Sequence, residues 1–210
     1  AMSAVNVLAS GATDDVNWLL LDAIDGEELS NDPLNFDPEL LGAYVARMHC
    51  IDVRAPSANG LSTCDVQFIA TFMREMTLRC ECPIAAVTEL IAIAARFADA
   101  SNLVFCHGDL HTGNILVSKS AEFTLLDFEE SVIGYRQYDV GELALELRQH
   151  FCEKCSQRFM CAYALASGSH LSTNLIDDWD DFRRLRDHAV GIYMNSLEQG
   201  AGLPFSISFV

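Results

Sequence analysis

Hydrophobic and polar positions along this chain fall into two periods. VNVL at residues 5–8 and VNWLLLD at 16–22 are short apolar runs, and the turn-prone SGATDD between them predicts two strands joined as a hairpin. From residue 37 the period becomes helical. Asp37 is a good N-cap with Pro38 at the first helical position, and Leu41, Tyr44, Val45 and Met48 form an apolar stripe ahead of His49. Ser62 and Asp65 predict a capping box for a helix carrying Phe68, Ile69, Phe72, Met73 and Met76. Residues 83–100 predict another helix, starting at Pro83, with Ile84, Val87, Leu90, Ile91 and Ala94 inward.

The period then shortens. Leu103–Cys106 predicts a strand, a polar loop follows, Ile115–Val117 predicts a second strand, and a turn at Ser118–Glu122 leads to a third, Phe123–Leu126, ending at Asp127. Beyond it Asp139 starts a helix as a capping residue, with Leu143, Leu147 and Phe151 on one face. A further helix carries Phe159, Met160 and Tyr163 and stops at Ser167-Gly-Ser. Asn174–Glu198 predicts one long helix with Trp179, Phe182, Leu185, Ala189 and Tyr193 inward. Asp177, Asp178, Asp180 and Asp181 in its first turns complement the helix dipole.

The candidate chemistry sits in the strand–loop–strand segment. His107 and Asp109 open the loop, Asn114 closes it five residues after the aspartate, and Asp127 follows thirteen residues later. This order, H-x-D-x-x-x-x-N and then D-F, is the one used in kinase-type phosphoryl transfer. That reaction needs an acceptor hydroxyl held in line with the γ-phosphate and the phosphate charge neutralised by metal. Asp109 would take or orient the hydroxyl proton, and the Asn114 amide oxygen and Asp127 carboxylate are hard ligands suited to Mg²⁺. Singly, each residue could merely cap or close a turn.

HGDLHTGNILV, with LLDFEES and YDVGELA downstream, resembles the aminoglycoside phosphotransferase/choline kinase family of the protein-kinase-like fold. Glycine at position 108, where protein kinases carry arginine, favours that small-molecule branch. The resemblance implies an α+β fold, a mainly helical kinase-like C-terminal lobe (residues 25–210) with a small β catalytic segment, preceded by a remnant N-lobe hairpin and hinge (1–24). It implies Asp109 as catalytic base, Asn114 and Asp127 as Mg²⁺ ligands, and Asp139 as support behind the loop. His107 becomes a packing and hydrogen-bonding residue. Backbone groups around Asp22, Ala23 and Ile24 would meet the adenine of ATP, although DAIDGEEL is also an ordinary strand exit. Glu129 and Glu130 are candidates for the phosphate or acceptor side.

The charge changes this picture only in part. Thirty acidic against thirteen basic residues give a net charge of −17. No basic footprint for nucleic acid is visible. The excess would draw in a cationic acceptor, and it serves solubility just as well. No apolar run suits a bilayer and the start lacks the basic region of a secretory signal, so a cytoplasmic protein without membrane association is expected. Eight cysteines include Cys80-x-Cys82 and Cys152-x-x-Cys155. The second pair lies within a helical pattern and the first just before Pro83, so buried reduced thiols are expected, not a zinc site.

The only lysines are Lys119 and Lys154, and no Gly-x-Gly-x-x-Gly pattern occurs. Those absences favour an incompetent fragment, while the intact Asp109, Asn114 and Asp127 set supports the first reading, an ATP-dependent kinase acting on a hydroxyl of an aminoglycoside or related small metabolite. The alternative is a catalytically incompetent fragment or binding module of such a kinase, with weak nucleotide binding. A lone hairpin is marginal in water, so its edge is expected to pair with a second copy, giving a homodimer.

Overall fold

The computed structural model describes residues 3–4, 7–13, 17–31, 36–54, 60–65, 67–72, 84–97 and 103–198. Expected features at residues 5, 6 and 16, at Met73, Met76, Cys80, Cys82 and Pro83, and in the side chains of Trp18, Ile84 and Tyr193 lie outside them. The architecture is mixed α+β, in the order β1 (Ser3–Ala4), β2 (Val7–Ala12), β3 (Asn17–Leu21), β4 (Glu27–Glu28), α1 (Pro38–Met48), β5 (Thr63–Cys64) and α2 (67–72). There follow α3 (Ile84–Phe97), β6 (Leu103–Cys106), β7 (Ile115–Val117), β8 (Phe123–Leu125), β9 (Val132–Tyr135), α4 (Gln137–Glu146), α5 (Glu153–Ser167) and α6 (Leu175–Glu198).

The first hairpin departs from expectation. Ser10, Gly11 and Ala12 belong to β2 and pair with Leu19, Trp18 and Asn17, with a register irregularity between Val7 and Ala9. Cross-strand pairing overrides the local turn preference there. Val7, Leu8, Leu20 and Leu21 are exposed. β1 adds in parallel to β8, and β4 pairs with β7, giving the sheet order β1-β8-β7-β4. The chain leaving the expected hinge is thereby clamped onto the catalytic hairpin, and Leu29 follows as a fully buried residue whose N–H donates to the Ile115 carbonyl at 2.8 Å.

α1 forms as its cap and stripe predict. The Asp37 carboxylate accepts the Glu39 N–H at 2.9 Å, and Leu41, Tyr44, Val45 and Met48 are buried. α2 begins later than its capping pattern implies. Ser62 and β5 are drawn into extended pairing with β9, so Asp65 itself caps the helix, accepting from Gln67 and Phe68 N–H groups. α3 buries Val87, Leu90, Ile93, Ala94 and Phe97, and the last of these joins Tyr138, Trp179 and Phe182 in an aromatic cluster that ties α3, α4 and α6 together. The expected helix over 139–151 ends at Glu146 and continues as a π-turn, Leu147–Phe151. α5 stops at Gly168 in the left-handed conformation. Among the described residues no helix is long and apolar enough to cross a membrane.

Candidate active site

The catalytic hairpin is closed by strand register. Ile115 lies opposite Leu125 and Val117 opposite Phe123, and the Leu126 N–H donates to the Asn114 carbonyl at 2.9 Å. Leu126 is thus outside the strand proper, and Asp127 emerges one residue past the rung that holds Asn114. Thirteen residues of sequence separation become adjacency. Asp127 is exposed and adopts φ 56°, a left-handed conformation that aspartate tolerates better than most residues.

Asn114 also turns towards the start of the loop. Its Nδ2 donates to the Asp109 carbonyl at 2.9 Å and to Asp109 Oδ2 at 3.3 Å. With the amide nitrogen committed to Asp109, Oδ1 is directed elsewhere. The Asp109 side chain is itself open to solvent, with His111 Nε2 at 3.5 Å from its carboxylate. His111 Nδ1 accepts the Gly113 N–H, so the nitrogen facing Asp109 is the one able to donate.

His107 is fully buried. Its Nε2–H donates to the Leu126 carbonyl at 2.6 Å, and its Nδ1 accepts the Asp109 N–H at 3.3 Å. Those bonds set the tautomer and engage both ring nitrogens. The ring also packs on Phe128, with centroids 4.6 Å apart.

Asp139 is not a helix cap. α4 starts two residues earlier at Gln137, and the Asp139 carboxylate turns away from its own helix to the loop. It accepts the backbone N–H groups of His107 at 2.8 Å and Gly108 at 3.0 Å, and His49 Nε2–H at 3.0 Å. On the far side of the imidazole the Tyr163 hydroxyl donates to His49 Nδ1 at 2.6 Å and accepts from Arg136 at 3.4 Å. His49 escaped the sequence analysis. The available signal was its place on the stripe Leu41, Val45, His49, where a polar residue on a buried face needs a partner.

Burial pushes the Tyr163 hydroxyl up to about 12 from its ordinary value of 10. A phenol raised in this way stabilises the fold below pH 10, and that contribution is lost as pH climbs towards the folded value. Tyr163→Phe is expected to cost about 1 kcal/mol at neutral pH and to flatten the alkaline decline. Urea unfolding at pH 7 and 11 checks both. An alkaline limb as steep as in the parent chain would contradict the assignment.

A second buttress was also missed. Glu146 Oε2 accepts both the Thr112 N–H at 2.7 Å and the Thr112 hydroxyl at 2.8 Å, pinning the middle of the loop to the end of α4. Beside it opens a cleft of about 480 Å³ lined by Gly108, Asp109, Tyr138, Glu142, Glu146 and Asp187 among others. Glu142 in turn accepts from Trp179 Nε1 and from Arg183, both at 2.8 Å. The four aspartates in the first turns of α6 point to other tasks. Asp177 pairs with Arg148, Asp178 with Arg96, and Asp180 and Asp181 with Arg184.

Glu129 is exposed, and Glu130 is half-buried with one carboxylate oxygen enclosed and without a hydrogen-bond partner. Burial first, then the carboxylates of Glu129, Asp109 and Asp127, push the Glu130 carboxyl above its usual range. Clustered hard oxygens under mutual repulsion, one of them unsatisfied, fit a divalent cation. Asp22, Ala23 and Ile24 form the irregular link between β3 and β4. A separate cleft of about 500 Å³ lies next along the chain, lined by Asp25, Gly26, Glu27, Glu28 and Lys119 among others.

Residues 2–185 match the phosphotransferase enzyme family. The chain belongs to that family. Within this phosphotransferase-family chain, a 57-residue stretch is 42% identical to a human choline/ethanolamine kinase, covering 25% of the chain and 13% of the human protein. Among solved structures, an aminoglycoside phosphotransferase from Streptomyces rimosus in complex with ADP and streptomycin superimposes with a TM-score of 0.63 at 18% identity. That match covers 88% of this chain and 76% of the other. A choline/ethanolamine kinase family protein from Mesorhizobium loti gives a TM-score of 0.65 at 14% identity, covering 97% and 69%. At such identities the structural likeness establishes the fold. The kinase-like architecture expected from the motif is therefore the one observed.

Proposed function

We propose that this chain carries the catalytic loop, metal site and acceptor cleft of a small-molecule kinase that transfers the ATP γ-phosphoryl group to a hydroxyl of a small cationic acceptor, an aminoglycoside or related metabolite. The observation that carries this reading is the register of β7 and β8, which brings Asp127 beside Asn114 while the Asn114 amide holds Asp109. Asp109, open to solvent, orients the acceptor hydroxyl and receives its proton. Asn114 Oδ1 and the Asp127 carboxylate would hold Mg²⁺, with Glu129 and Glu130 close enough in the chain to contribute. When bound, the ion neutralises the phosphate charge. In the cleft Glu142 and Asp187 are balanced by Arg183 and Arg186, and Asp109 and Glu146, set beside Tyr138 and Trp179, are the carboxylates that would meet a positively charged acceptor. Backbone groups at Asp22, Ala23 and Ile24 meet the adenine.

Titration calorimetry of MgATP into the chain and into Asp127→Asn tests the reading. Asparagine keeps the shape and tolerates the left-handed backbone, so the fold should persist. Losing a charged contact worth about 1.5–3 kcal/mol should weaken magnesium-dependent binding roughly ten- to hundredfold. Equal affinity in the two proteins, or binding indifferent to magnesium, would rule the metal assignment out.

A further inference from the structure

The cysteines of the 152–155 pair are not buried within a helix, as their sequence pattern implied. Cys152 is the N-cap of α5, in extended conformation, and it is exposed, while Cys155 is half-buried one turn along. Of the other described cysteines, Cys50 and Cys161 are exposed and only Cys64 and Cys106 are buried. The two sulfurs of the pair share a hydrogen bond at 2.9 Å, and the Cys155 N–H donates to Cys152 Sγ at 3.2 Å. Closing the sulfurs from 2.9 Å to a bond of about 2.05 Å needs a shift of less than about 1 Å.

We propose that Cys152 and Cys155 form a thiol–disulfide exchange site, in which Cys152 attacks a low-molecular-weight disulfide and Cys155 resolves the adduct into an intramolecular bond. The hydrogen bond from Cys155, then the Cys155 and Lys154 backbone N–H groups and the Lys154 charge, hold the Cys152 thiol below its ordinary range. The same partner, with burial, pushes the Cys155 thiol up. That division suits an attacking and a resolving sulfur at a helix start. In the first step the Cys152 thiolate bonds one sulfur of the disulfide and expels the other as a thiolate. In the second, Cys155 gives up its proton to solvent and attacks Cys152 Sγ, expelling the second thiolate. The pair loses two electrons and the incoming disulfide gains them.

Oxidised glutathione is the probe. After incubation with the folded chain, acid trapping and trypsin, cleavage at Arg148, Lys154 and Arg158 separates Gln149–Lys154 from Cys155–Arg158. The expected product is these two peptides joined and released by reductant. Cys155→Ser should stall with glutathione on Cys152, and Cys152→Ser, which keeps a capping oxygen, should leave Cys155 unmodified. At neutral pH Cys152 should alkylate roughly threefold or more faster than Cys161, the exposed cysteine of the same helix. Free peptides, a bond from either cysteine to any other residue, or Cys152 reacting no faster than Cys161 would overturn the proposal.

Discussion

Asp139→Ala should lower stability by about 3–5 kcal/mol, the cost of breaking one side of a buried polar network. Asp139 is only 1% exposed and is the shared acceptor for two loop N–H groups and for His49. Removing it leaves two buried donors and a half-buried one without a partner, the buried ones costing about 1–3 kcal/mol each before any relaxation. For a chain of this size the melting temperature should fall by roughly 10 °C. Asp139→Asn should rescue little, because one of its two terminal atoms becomes a donor facing another donor. Calorimetric unfolding gives the magnitude, and amide exchange at His107 and Gly108 locates it. A loss under about 1 kcal/mol, or unchanged protection of those amides, would mean that the loop is held by other contacts.

Gly108→Ala is the second large effect. Gly108 sits at φ +90°, and an added β-carbon would overlap the Glu130 carbonyl oxygen and lie 2.8 Å from its carbonyl carbon. Two costs combine. The left-handed backbone costs about 1–2 kcal/mol for a residue with a side chain, and forced displacement of a packed backbone adds about 1–3 kcal/mol. Gly168→Ala separates them, since Gly168 also has positive φ, +65°, but meets nothing within 4 Å. Gly108→Ala should therefore lose at least about 1 kcal/mol more than Gly168→Ala in urea unfolding. It should also weaken magnesium-dependent nucleotide binding, because the Glu130 backbone adjoins the Asp127 turn and Asp109 follows Gly108 directly. Equal destabilisation by the two substitutions would show that the loop yields without strain. Glycine at 108 thus has a steric reason beyond membership of a motif.

Local pattern was enough for the elements whose determinants are local. The Asp37-Pro38 start of α1, the β6 and β7 strands, the turn after Val117 and the long α6 follow from caps, period and turn chemistry within a few residues. The motif order in Leu103–Glu129 also points to the family, because short-range spacing in a hairpin largely dictates spatial register.

What local pattern missed has long-range partners. Ser62 gives way to Asp65 because β9, almost seventy residues on, captures β5. Asp139 looked like a cap by local pattern, because caps and buried acceptors share a residue type; its support of the loop was implied by the family resemblance, and the end of β6 brings the two N–H groups that its carboxylate accepts. His49 and Tyr163 are 114 residues apart in sequence, and Thr112 and Glu146 are 34 apart. Cys152 looked internal because helical period continues across a π-turn that breaks the helix and exposes its sulfur.

The sequence by itself determined the helical and strand periods, the H-x-D-x-x-x-x-N and D-F order, and through them the kinase-like fold. Tertiary structure alone decided which histidine supports Asp139 behind the loop, which carboxylates line the cleft, and which cysteines meet solvent. The physical reason is that a hydrogen bond or a buried charge depends on which atom arrives opposite it. That is settled by packing between segments far apart in the chain, and no local period encodes it.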